Sequence, residues 1–233
     1  LRGIHYVPVL VDDISTYISD TRRARDNYKK FITALDADYA TVDMGEIEFY
    51  LKQALTTDPD SGAYSISQEA HITKMLKNAD IGQCKTATLP FNKGQMSQIL
   101  RDGRKVDPDQ TDSPTDATEY RSALGSCNFP AVMTRPDIAN IVSVLQRFQQ
   151  APRKSHMQAV RHLQRYLQGT KHRGIQYTGG KIQLRAAVDS SWADDVDSAE
   201  SQFGWVVMLC GGPVSWKSGL QRCTATSSTE AEY

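Results

Sequence analysis

Several absences narrow the setting of this chain. Its four cysteines, Cys84, Cys127, Cys210 and Cys223, lie far apart and never form a Cys-x-x-Cys pair. That excludes the common zinc arrangements and points to reduced thiols serving as small apolar residues in an intracellular protein. No apolar run approaches the roughly 20 residues needed to span a bilayer, and no signal-peptide pattern opens the chain, so a soluble protein with no membrane partner is expected. Net charge is absent as well, with Lys plus Arg at 27 and Asp plus Glu at 27. What is present is ordinary: 233 residues, 39% apolar and 23% charged, enough for a sizeable core in one or two domains. Strand patterning already begins at Ile4, so the chain reads as cut from something longer.

The zero balance conceals a segregation of charge. From Ile138 to Val188 there is no Asp or Glu, while Arg147, Arg153, Lys154, Arg161, Arg165, Lys171, Arg173, Lys181 and Arg185 are basic. Conversely, Asp107 to Glu119 carries five acids and no base. Such a chain has a local positive field, and phosphate backbones are the commonest partner for one; the plainer alternative is a solvated helix face. Arg161 and Arg165 are four apart on an expected helix, so they share a face and can follow one phosphate backbone together.

Periodicity supplies a scaffold of mixed type. Ile4 to Val11 and Ile14 to Ile18 read as short strands flanking Asp12 and Asp13, which belong to either a metal-binding hairpin or a surface turn. Ala24, Tyr28, Phe31, Ile32 and Leu35 recur at helical spacing behind the capping candidates Asp20 and Thr21. EIEFYLKQAL and AYSIS read as a hairpin across TTDPDSG, and Ile72, Met75, Leu76 and Ala79 mark a short helix. The polar, Pro-broken stretch 101–118 reads as a flexible connection. Beyond it, Ile138, Ile141, Val142, Leu145 and Phe148 line one helix, and Val160, Leu163 and Leu167 another. Thr134 with Asp137, and Ser155 with Gln158, have capping-box spacing. From Lys181 the period changes to two: LRAAVD, FGWVVMLC, VSW and RCTATS read as an antiparallel meander, and Ser227 with Glu230 has the spacing of a helix cap.

These residues also carry a family resemblance. LVDDI, DMGEIEFYL, ISQEAHITKML, YRSALGS, TRPDIA, RYLQGTKHRGIQY, DSSWADD, GGPVSW and SSTEAEY, in this order, resemble the polyprotein of copia-type long-terminal-repeat retrotransposons over practically the whole chain. The resemblance implies an α+β fold: the end of a reverse-transcriptase palm with a helical thumb and connection, followed by a truncated ribonuclease H-like antiparallel meander. The implied regions are 1–100 for partial reverse transcriptase, 101–118 for the connection, 119–180 for a helical region and 181–233 for the ribonuclease H-like part. Implied partners are an RNA/DNA template-primer or RNA–DNA hybrid and the remainder of the polyprotein. The implied location is cytoplasmic and particle-associated, or nuclear.

The resemblance assigns Asp12 and Asp13 to the polymerase Mg2+ site, although the family has Tyr where this chain has Leu10. It matches Asp189 and Glu232 to the first two ribonuclease H carboxylates, Glu230 being left to the helix cap, while Asp194, Asp195 and Asp197 read as a solvated acidic loop. QFGWVV departs from the family's Ser-Gly-Tyr but keeps aromatic strand character. Arg161, Arg165, Lys171 and Arg173 are the expected nucleic-acid contacts. Further carboxylates of both sites are expected outside these residues, and Mg2+ sheds water reluctantly for an incomplete oxygen cage. Two functions follow: an RNA-directed DNA polymerase and ribonuclease H segment inactive as this isolated chain, or a non-catalytic remnant that binds nucleic acid without sequence preference. The first expectation is that the chain alone incorporates no nucleotide on a primed RNA template with Mg2+ or Mn2+; primer extension above background, abolished by Asp12→Asn, is the contrary result.

Overall fold

A two-stranded hairpin opens the described part of the chain. In the computed structural model, which describes residues 9–10, 13–16, 18, 21–42, 44–102, 115–178, 182–191, 199–221 and 224–232, β1 (Val9–Leu10) pairs antiparallel with β2 (Asp13–Ile14), Leu10 opposite Asp13. The second strand ends at Ile14, short of the expected Ile18. Helix α1 (Arg22–Asp38) follows, and Thr21 caps it by accepting the Ala24 N–H at 3.2 Å. These elements form a unit that ends at Glu48, and the remainder of the chain forms a second.

The second unit begins with a correction. EIEFYLKQAL is not one strand: β3 (Phe49–Tyr50) turns back into β4 (Gln53–Thr57) through Leu51 and Lys52, at φ 51° and 64°. A left-handed pair matches the twist of a two-residue hairpin, but it is a conformation that favours Gly or Asn, and neither residue signals it. β5 (Tyr64–Ser67) then pairs with β4 across the expected TTDPDSG turn, where Asp58 accepts from the Asp60 N–H and the Ser61 hydroxyl.

A helical core is built on this sheet. Helices α2 (Glu69–Asn78), α3 (Lys93–Asp102), α4 (Ala117–Met133), α5 (Ala139–Gln146) and α6 (Lys154–Gly169) supply most of it, with Ile72, Tyr120, Ile138, Ile141, Leu145, Leu163 and Leu167 essentially sealed from water. Of the apolar positions expected there, Ile72, Met75 and Leu76 on α2, Ile141, Val142 and Leu145 on α5 and Val160, Leu163 and Leu167 on α6 are buried, as is Ile138 just before α5, whereas Ala79 is exposed and Phe148 half-buried, both past the ends of their helices. α4 had no visible signal because it runs through Pro130, which cannot donate to the Ser126 carbonyl. The His71 ring takes that carbonyl instead, Nε2 at 3.3 Å, and packs edge-on to Phe129. Asp116 caps α4 by accepting the Thr118 and Glu119 N–H groups. Of the expected connection, residues 103–114 lie outside the described residues.

Both expected capping boxes beside α5 and α6 are overturned. Thr134 is the C-cap of α4, and Asp137 lies in a single 3-10 turn, Pro136–Ile138, that leads into α5. Ser155 lies inside α6, whose first turn is closed by Arg153 N–H donating to His156 Nδ1 at 3.0 Å. His156 is fully buried, stacks on Phe148 and donates through Nε2 to the Ile99 carbonyl at 3.1 Å. A buried ring with both nitrogens engaged serves the cap better than an exposed Gln158 amide.

β6 (Gly174–Tyr177) completes the order β3-β4-β5-β6, so segments more than a hundred positions apart share one sheet. Gly174 is required there, since a Cβ would overlap the Ile66 carbonyl oxygen. The meander forms the remaining sheet: β7 (Leu184–Ser191), β8 (Gln202–Leu209) and β9 (Gly212–Leu220), all antiparallel, with Cys210 and Gly211 left-handed at the second turn. RCTATS adds no strand among its described residues, 224–227; β9 itself runs on to Leu220. Helix α7 (Ser228–Glu232) then packs against β7. Because a non-glycine residue in the left-handed region is strained, Lys52→Gly is expected to stabilise the chain by about 0.5–1 kcal/mol, read as a raised midpoint in thermal or urea unfolding.

Candidate functional site

The side chains of Arg-Pro-Asp carry the most connected polar site. Arg135, 1% exposed, donates through Nε and Nη2 to the two oxygens of Asp137 at 2.9 and 2.7 Å, and through Nη1 and Nη2 to the carbonyl and hydroxyl of Thr170 at 2.9 and 2.8 Å. The Tyr166 hydroxyl donates to Asp137 at 2.7 Å. Next to it, the Thr134 hydroxyl donates to Gln68, the N-cap residue of α2, at 2.8 Å. Burial alone would raise the Asp137 carboxyl, but the hydrogen bonds and charge of Arg135, with the Tyr166 hydroxyl, outweigh it and hold the group below its ordinary 3.8. Burial and the Asp137 carboxylate push the Tyr166 phenol up. A motif read for its family likeness is thus a buried clamp, and its arginine is committed to the fold.

The meander rests on the helices next to this clamp. Trp216 Nε1 donates to the Ala131 carbonyl at 2.8 Å, Asn140 to Ser218 at 3.3 Å, and Gln202 to Ser143 and Ser218 at 3.2 and 3.0 Å. Between sheet and helices lies a cavity of about 600 Å3 whose lining includes Met96, Leu100, Asp137, Asn140, Asp189 and Trp216. Asp189 pairs with Gly204, which pairs with Ser218, so it shares the helix-facing side of the sheet with Trp216 and Ser218, as alternation from Val188 predicts.

The other acids expected at metal sites are differently placed. Ser227 Oγ accepts the Glu230 N–H at 3.1 Å, and the Glu230 carboxylate accepts the Thr226 N–H and hydroxyl at 2.7 and 2.6 Å. Those Thr226 bonds hold its carboxyl below the ordinary value. Glu230 therefore belongs to the cap, and Glu232 is exposed on α7 but outside the cavity lining. Asp12, Asp194, Asp195 and Asp197 lie outside the described residues, and of Asp13 only the backbone is described. Among the described residues no group of three or more His, Cys, Asp or Glu could hold a metal ion. Asp189 and Glu232 would supply two of the roughly six oxygens that Mg2+ demands, so the described residues do not form a magnesium cage.

The expected nucleic-acid residues are largely engaged. Arg161 lies 3.4 Å from Glu119 on α4, Lys171 lies 3.4 Å from Glu69 on α2, and Arg165 donates through Nε to the Lys85 carbonyl at 2.5 Å; Arg173 is exposed. The stretch without acids in sequence receives them in space. Exposed pairs of this kind are worth about 0–1 kcal/mol, so they set the local field without fixing the fold.

Comparison with known proteins settles the family. The chain is 32% identical over 201 residues to the retrovirus-related Pol polyprotein from transposon TNT 1-94 of Nicotiana tabacum, with 85% of the chain covered. It is 33% identical over 233 residues, its whole length, to that from transposon RE1 of Arabidopsis thaliana. It is 31% identical over 235 residues to the putative transposon Ty5-1 protein of Saccharomyces cerevisiae, covering 99% of this chain and 71% of that protein. The chain belongs to the retrotransposon Pol polyproteins. It spans about 15% of the length of the tobacco and Arabidopsis polyproteins. No family model matches it, and no solved structure does.

Within this Pol segment, the Arg135 clamp is the feature that periodicity missed, although its residues were quoted as a motif. The clamp yields a pH prediction. Since the Asp137 carboxyl is held below 3.8, its stabilisation is full above that value and is lost as pH falls through the lowered folded-state value. Acid unfolding is therefore expected to steepen below pH 3.8, with that limb flattened in Asp137→Asn. Arg135→Met removes one partner of a buried pair and is expected to cost about 3–5 kcal/mol in chemical denaturation.

Proposed function

We propose that this Pol segment joins the reverse-transcriptase and ribonuclease H parts of its polyprotein. In this reading, β1, β2 and α1 are the end of the palm, with Asp12 and Asp13 at the hairpin; the helical core is thumb and connection; and the meander opens a ribonuclease H-like domain. The observation that carries it is the arrangement around β7: a carboxylate, Asp189, on the first strand of an antiparallel meander, with the capped helix that bears Glu232 packed against that same strand. Phosphodiester hydrolysis by metal ions needs hard oxygen ligands converging from neighbouring elements, and Asp189 with Glu232 is the start of such a set. The partner is an RNA–DNA hybrid or template-primer.

A second reading is a non-catalytic remnant that binds nucleic acid without sequence preference. It is supported by the short ligand set, since among the described residues Asp189 and Glu232 give two of the roughly six oxygens that Mg2+ takes. The two readings separate on metal binding by the chain itself. Under the first, Mn2+ added to labelled protein broadens the amide resonances of Asp189 and Glu232 together, and either Asp189→Asn or Glu232→Gln abolishes the broadening at both. Broadening at only one position, or at neither, leaves the remnant reading.

A further inference from the structure

We infer that the N-terminal half of α1 is a phosphate-tracking surface for nucleic acid, a role that rests on the proposed reading of the first unit as the end of a palm. Arg22, Arg23, Arg25, Lys29 and Lys30 stand there against the single acid Asp26, and all five are exposed. At about 100° per residue the five fall within an arc of about 160°. Ala24, Tyr28, Phe31, Ile32 and Leu35 occupy the opposite side, Ala24 buried and the others half-buried.

Helix stability does not account for this order of charges. The first turn of α1 holds bases and no acid, and its last turn holds Asp36 and Asp38 and no base. That is the reverse of what the helix dipole favours. Nor are the charges spent on ion pairs: among the described residues no carboxylate lies within salt-bridge distance of Arg22, Arg23, Lys29 or Lys30. The bases of α6 and of the Lys171 turn differ in this respect, since Glu119 and Glu69 pair with Arg161 and Lys171.

Arg22, Arg23, Lys29 and Lys30, with no carboxylate partner among the described residues, form a row on one helix that fits a repeating anion, which releases counterions as it is bound. Two polyanionic surfaces share that chemistry, and burial chooses between them. A helix that lies in a lipid interface must offer its apolar face to the acyl chains, whereas here Tyr28, Phe31, Ile32 and Leu35 are already partly covered. Nucleic acid needs only the basic face. Arg22 follows Asp13 by nine positions in the same unit, at most about 32 Å of extended chain. A duplex passing the hairpin therefore has α1 within reach.

The test is a salt titration of the whole chain with a short fluorescent RNA–DNA hybrid, read by anisotropy. Each phosphate contact contributes about 0.9 to the slope of log affinity against log salt for duplex DNA. The variant with Arg22, Arg23, Lys29 and Lys30 all changed to Gln, with unchanged circular dichroism, is expected to bind at least tenfold more weakly and to lose about three to four units of slope. Asp26→Lys, which adds a base to the same arc, is expected to gain about one, and it keeps the test decisive if the multiple variant misfolds. Unchanged slopes in both variants, or slope lost only in Arg161→Gln with Arg165→Gln, overturn the inference and leave the reading of the chain intact. No binding by the unaltered chain overturns both. Binding to phosphatidylserine vesicles but not to the hybrid overturns it in favour of a membrane surface.

Discussion

The guanidinium of Arg135 is the constraint around which the larger unit is arranged. A planar cation taken out of water must have nearly all its donors satisfied, because an uncompensated buried charge costs several kcal/mol. Here the donors end on Asp137 at the start of the 3-10 turn and on Thr170 at the C-terminus of α6, while Tyr166 holds the second side of the same carboxylate. One hydrogen bond away, Thr134 ties α4 to the N-cap of α2. The C-terminal end of α4, the N-cap of α2 and the C-cap of α6 therefore meet within residues 134–137, and their angles are not free. The position of α5 follows, and with it the shelf on which Trp216, Ser218 and Gln202 seat the meander.

Legibility in the sequence divides along physical lines. Apolar stripes on α2, α5 and α6 and the alternation of β7 were readable because burial of those positions is itself what stabilises the elements. The caps were not readable. Thr134 and Ser155 have the right spacing for capping boxes, but spacing states only that a bond can form; Gln68 and His156 offered better-buried alternatives from elsewhere in the chain. α4 was invisible because Gly125 and Pro130 count against a helix locally, and the compensation, His71 on the freed carbonyl, arrives from 55 positions away. The turn at Leu51 and Lys52 was hidden for the opposite reason: its left-handed residues are not the ones that announce such a turn.

The same distinction applies to charge. The acid-free span from Ile138 to Val188 is a fact about the order of residues, and folding places Glu119 and Glu69 beside Arg161 and Lys171. Segregation along the chain is not segregation in space. The first helix illustrates the converse: Arg22, Arg23, Lys29 and Lys30 are inconspicuous in a neutral chain, yet they share one face and no carboxylate among the described residues lies within salt-bridge distance of them. For a binding surface, the quantity that matters is the number of cations without a nearby carboxylate, which requires the fold.

The carboxylates follow from this as well. Asp137 and Asp189 open on one cavity, but Asp137 is fully engaged by Arg135 and Tyr166, so it is an anchor and not a spare ligand. Glu230 is likewise spent on Thr226. Of the acids expected at metal sites whose side chains are described, Asp189 and Glu232 stand as exposed carboxylates on the packed neighbours β7 and α7. An acid kept exposed on a strand, beside a helix whose own cap is satisfied by a different glutamate, contributes little to stability. Its placement is therefore not dictated by packing, in contrast to that of Asp137 and Glu230.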